Sequence, residues 1–100
     1  MIKHIVFWNF QDQTPTGSKA DNLAQAVTLL QSCAQLVDGV EAFEVALGAD
    51  NPACTADLVL YSAFASQAAL DAYQAHPQHL PVKTFMTQAV ASRHCMDYTV

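Results

Sequence analysis

The first ten residues constrain this chain most. Positions 2 to 10 alternate as a strand does, with Ile2, His4, Val6, Trp8 and Phe10 on one face and Lys3, Ile5, Phe7 and Asn9 on the other. Both faces carry large apolar groups. A strand of this kind cannot leave one side in water, so whatever sheet it enters must be covered on both sides.

The rest of the chain supplies the first cover. Gln11 to Gly17 holds Thr, Pro and Gly and reads as a loop, and Ser18 stands three residues before Asp21 in a capping-box arrangement. Leu23, Ala26, Val27, Leu30, Ala34 and Val37 then recur at helical spacing, which predicts an amphipathic helix ending near Asp38-Gly39. Val40 to Leu47 alternates Phe43, Val45 and Leu47 against Ala42, Glu44 and Ala46, a second strand. After a turn-rich stretch from Gly48 to Thr55, Ala56 to Phe64 reads as a third.

Ser66 is a good N-cap for a second helix through Ala75, which His76-Pro77 interrupts because the residue before a proline is pushed away from helical angles. Leu80 to Ala89 predicts a further short helix with Pro81 in its first turn. Val90 to Val100 closes the chain as a strand, with Val90, Ser92, His94, Met96, Tyr98 and Val100 expected on one face. The order is β-α-β-β-α-β, a ferredoxin-like α+β subunit in a single domain, residues 1–100. Its helices cover one face of the sheet only. The economical cover for the other face is a second copy of the same sheet, which predicts a homodimer joined through the open face.

Composition narrows the function classes. Four Lys and Arg stand against nine Asp and Glu, a formal charge of −5, and the four cations are scattered, so the grouped positive charge of a nucleic-acid binder is missing. The apolar start is interrupted by Lys3 and His4 and has no small-residue cleavage site, which fits neither a signal peptide nor a membrane span and makes the cytoplasm the expected location. Cys33, Cys54 and Cys95 are too few and too widely spaced for a disulfide framework or a zinc-thiolate site. The three glycines stand alone, so no phosphate-cradling loop exists and no cofactor is expected.

Chemistry concentrates in Tyr73-Gln-Ala-His76-Pro-Gln-His79, a phenol and two imidazoles at a helix break. An imidazole titrates near neutrality and can take a proton next to a carbonyl, while a phenol can donate to the oxygen on which charge develops. His79 suits the first role and Tyr73 the second. The bland alternatives are a core tyrosine and histidines that cap helices. For His76 capping is the expected role, because it stands at the break itself. Two imidazoles at this spacing could converge on a metal, but a catalytic zinc site wants three protein ligands and the sequence places no third; no metal is expected.

The start MIKHIVFWNF, the strand ADLVLYSAF, the segment ALDAYQAHPQHLPV and the ending MDYTV closely resemble the stress-responsive dimeric α+β barrel proteins, the Dabb family. The resemblance implies a ferredoxin-like subunit whose sheet joins its twin to form a central barrel. Some relatives are stress-associated, and one plant relative is a polyketide cyclase working by aldol condensation without a cofactor. Its catalytic Tyr and His correspond to Tyr73 and His79, and its pocket-lining strand histidine to His4. Val6 and Trp8, on the strand face of His4, and Val27, on the first helix, are the expected substrate-lining residues beside it. The cyclase carries aromatic residues on that helix where this chain has Leu23, Ala24 and Val27, so its long-chain substrate is not expected here. The expectation is an uncharged or weakly polar carbonyl compound undergoing cyclisation, isomerisation or lyase chemistry. The resemblance also leaves open a non-catalytic stress-related dimer and a cofactor-independent monooxygenase-like barrel.

Overall fold

In the computed structural model, which describes residues 1–100, the elements follow the order β1 (Ile2–Phe10), a small hairpin of β2 (Gln13–Thr14) and β3 (Gly17–Ser18), α1 (Lys19–Gln31), β4 (Val40–Leu47), a single 3-10 turn at Gly48–Asp50, β5 (Leu58–Phe64), α2 (Gln67–Ala75), α3 (Leu80–Ala89) and β6 (Val90–Thr99). The four long strands form one antiparallel sheet in the order β4-β5-β1-β6. This is the ferredoxin-like α+β arrangement, with β1 at the centre as its two apolar faces require.

The helix-covered face holds the core. Val6, Trp8 and Phe10 of β1 and Leu58, Leu60 and Phe64 of β5 pack against Ala26 and Leu30 of α1, Leu70 and Tyr73 of α2 and Val82, Met86 and Ala89 of α3. Both expected N-caps form. The Ser18 side chain accepts from the Asp21 amide, whose carboxylate in turn accepts from the Ser18 amide, and Ser66 accepts from the Ala69 amide.

β5 starts at Leu58 rather than Ala56, and three larger differences from the spacing stand out. The first helix stops at Gln31 rather than near Asp38: the Ser32 hydroxyl turns back onto the Leu29 carbonyl, and the next amides close tighter three-residue turns onto Leu30 and Gln31. Ala34 and Val37 are therefore outside the helix, although Val37 still packs on the core. Gly39 does take the left-handed conformation, at φ 88°, but at the entry to β4. The stretch read as a loop before α1 contains the hairpin, held by buried Asn22, whose side-chain amide donates to Thr14 Oγ1 at 2.8 Å and accepts from Thr16 Oγ1 at 2.9 Å. Finally, a register shift between Asn9 and Phe10 pairs Phe10 with Val90 and Asn9 with Ser92, so Val90 lies on the helix side while Ser92, His94, Met96 and Tyr98 follow the open side.

Nothing in the single chain covers that open side. Phe7 is 46% exposed and Met96 65%, and Tyr98 and Ile5 lie beside them. No helix is long and apolar enough to cross a membrane.

Candidate functional site

A cavity of about 380 Å³ opens between the sheet and the α2–α3 corner. Its walls include His4, Val6 and Trp8 from β1, Leu30 from α1, Leu60 from β5, Tyr73 and Gln74 from α2, and His79, Val82 and Met86 from the start and body of α3. His4, Val6 and Trp8 reach it together because they alternate onto the helix face of one strand. Tyr73 and His79 reach it because the chain turns between them at His76-Pro77. Val27, the remaining expected lining residue, packs partly buried against the core and does not reach the wall; Leu30, nearly one turn further on, does.

Tyr73 is fully buried, caged by Phe64 and Phe43 with ring centroids 5.2 and 6.1 Å away and packed against the His79 ring at 4.6 Å with the planes tilted by 34°. Its hydroxyl has no hydrogen-bond partner within the chain. Buried polar atoms are paired as a rule, and leaving one unpaired costs about 1–3 kcal/mol. Burial, with a smaller contribution from the neighbouring Cys33, raises its pKa well above the ordinary phenol range, so the hydroxyl keeps its proton.

His79 is buried as the residue that precedes α3, its amide donating to the His76 carbonyl at 2.9 Å. Its Nδ1 faces the Cys33 thiol at 3.9 Å. Burial first, then the charges of Lys83, His4 and His76, lower its pKa from 6.5 to about 4, which leaves the ring neutral at physiological pH. His76 has a different task. Its Nδ1 accepts from the Gln78 amide at 3.1 Å and so holds the turn, while the carbonyl of Gln74 at the end of α2 is met by Lys83 Nζ at 2.8 Å. His76 ends α2 as expected, but its imidazole does not cap the helix carbonyls: it holds the turn, and Lys83 is the carbonyl cap.

His4 gains a partner that spacing along the chain does not reveal. The β1–β6 register sets His4 opposite Asp97, and its Nδ1–H donates to the Asp97 carboxylate. Such a bond fixes the tautomer and leaves Nε2 as the free ring nitrogen, the arrangement by which a carboxylate orients a catalytic imidazole. Cys95, two residues earlier on the same face, places its thiol 3.9 Å from His4 Nδ1 and 3.6 Å from the carboxylate. His4, Cys95 and Asp97 are the one trio whose donor atoms gather within 4.8 Å and could hold a metal ion, a set that includes neither His76 nor His79. The His4–Asp97 hydrogen bond accounts for their approach by itself. His94, as alternation requires, pairs with Phe7 on the open side.

Two cations complete the walls, Lys83 from α3 and Arg93 from β6. Neither was singled out by motif. The signal for Arg93 was its position four residues before Asp97, which puts both on one face of a strand.

The sequence profile of the stress responsive A/B barrel domain matches residues 2–100. The chain belongs to the Dabb family. Among solved structures, a dimeric ferredoxin-like protein of unknown function from Bacteroides fragilis is 26% identical, with 99% of this chain and 95% of that one covered and a TM-score of 0.82. A Dabb protein from Mesorhizobium loti is 21% identical over 99% and 95% of the two chains, with a TM-score of 0.75. A Nitrosomonas europaea protein named provisionally as an antibiotic biosynthesis monooxygenase is 20% identical over 100% and 98%, with a TM-score of 0.78. At the identities of the last two, the likeness is one of fold. Among proteins with curated functions, none matches this Dabb chain.

Proposed function

We propose that this Dabb protein is a homodimer joined through its open sheet face, and that its cavity binds a small carbonyl compound and moves a proton on it with its own side chains. One observation carries the reading: the buried Tyr73 hydroxyl lines a cavity, holds its proton and has no partner in the chain. A ligand oxygen there would satisfy it. A carbonyl oxygen accepting from Tyr73 places its neighbouring carbon near the adjacent His79, a neutral imidazole able to take a proton. The enolate forming beside the ring raises the imidazole's affinity for that proton, and Tyr73 stabilises the enolate oxygen. Ring closure, isomerisation or bond cleavage can follow. His4, oriented by Asp97, also lines the cavity and can hold or relay a proton.

The low His79 pKa favours a second reading, a binding dimer without turnover, because a base is most effective when its pKa lies near the working pH. A panel of β-keto compounds separates the two. His79→Ala and Tyr73→Phe should each lower turnover by about a hundred-fold or more while leaving the dimer folded. Tyr73→Phe should also raise the stability of the ligand-free protein by about 1 kcal/mol, since it removes an unpaired hydroxyl. Ligand stabilisation with no turnover would select the second reading, and neither one would sink both.

A further inference from the structure

We propose that the ligand of this cavity is an anion, a small oxo acid whose carboxylate is held by Arg93 while its carbonyl meets Tyr73. The inference rests on the small-molecule reading above and adds the ligand's charge, which the sequence alone suggested was absent or weak.

The cavity reverses the sign of the chain's charge. The chain carries nine acidic residues against four basic ones, yet two of those four, Lys83 and Arg93, line this one cavity together with His4 and His79, and no Asp or Glu forms part of its wall. The carboxylate nearest by register, Asp97, is engaged by His4. The Lys and Arg ion pairs of the chain are Lys19–Asp12 and Lys19–Asp57, so neither Arg93 nor Lys83 enters one. Lys83 gives one ammonium proton to the Gln74 carbonyl and keeps two.

Arg93 stands on β6 opposite Trp8, on the face that looks toward the helices, at the edge strand of the sheet. Its guanidinium is a planar fork of donors that suits a carboxylate in two-point contact, and a strand places it more firmly than a loop would. The apolar Val6, Trp8, Leu60 and Met86 line the same cavity as this cation and the buried phenol. At about 380 Å³ the cavity lies toward the lower end of ligand pockets, which run from about 300 to 1,000 Å³, so the acid is a small one. The buried Tyr73 hydroxyl without a partner and the solvent-exposed Arg93 guanidinium without an ion pair line the same cavity, and a carbonyl with a carboxylate suits both.

Calorimetric titration of the dimer with 2-oxo and 3-oxo acids, their methyl esters and the matching methyl ketones tests this. The acids should bind about ten-fold or more tighter than the esters at low ionic strength, the range expected of a charge-assisted contact. Arg93→Gln should bring the acid-to-ester ratio close to one, Arg93→Lys should restore part of it, and Lys83→Gln should reduce it by a few-fold. Circular dichroism melting checks that each variant is folded. Equal affinity of acid and ester, or a ratio that survives Arg93→Gln, overturns the proposal while leaving the carbonyl reading standing if the ketones bind. A phosphate monoester binding ten-fold tighter than the acids overturns the carboxylate assignment. Binding by no member of the set overturns both.

Discussion

The two faces of this sheet are built from the same strands and differ in what their polar groups meet. Toward the helices, His4, Tyr73 and His79 are buried around a cavity, and one hydroxyl is left without a partner. On the open side, Lys3 donates to the Tyr61 hydroxyl and lies over its ring, while Phe7 and Met96 remain in water. Unpaired polarity on one face and uncovered apolar surface on the other are complementary signs: the ligand proposed above would satisfy the first and the proposed dimer would cover the second.

The contrast can be tested by breaking each face in turn. The largest effect belongs to the covered face. Phe64→Ala removes a fully buried ring that also cages Tyr73, and should cost about 3–5 kcal/mol in denaturant unfolding. Next is a pH effect tied to His79. Its folded pKa, about 4, lies below the 6.5 of an unconstrained imidazole, so between these values the unfolded chain binds the extra proton and stability falls as pH falls. The full loss is roughly 3 kcal/mol at most, from 1.36 kcal/mol per unit. His79→Gln should flatten this part of the stability profile. The smallest change is on the open face, where Phe7→Glu should leave the subunit folded but weaken the dimer by about ten- to a hundred-fold, about 1.4–2.7 kcal/mol, in sedimentation equilibrium. A dimer constant unmoved by Phe7→Glu would place the contact between subunits elsewhere.

Local periodicity carried most of the fold. The two-faced β1, the Ser18 and Ser66 caps and the proline break after His76 each depend on neighbouring residues, and each is found where spacing puts it. What spacing missed depends on pairing between distant strands or on single side-chain bonds. The Ser32 hydroxyl ends α1 early, and the shift beside Phe10 turns Val90 inward. The site divides in the same way. Tyr73 and His79 were found from a short motif, His4, Val6 and Trp8 from alternation, and all five line the cavity. Asp97 and Arg93 could be placed beside them only once β6 was in register with β1. Val27 fails to reach the wall because α1 turns Leu30, not Val27, toward it.

The packed Tyr73 and His79 are six residues apart, whereas His4 and Asp97 are joined across 93. Closing the short loop costs little chain entropy, and the long one must wait for the sheet that repays it. The two halves of the cavity therefore have different histories within each folding event: the aromatic pair can come together with its helices, while the histidine–aspartate pair is assembled only as the outermost strand docks. A chain in which β6 has come loose would keep the first pair and lose the second, along with the arginine beside it.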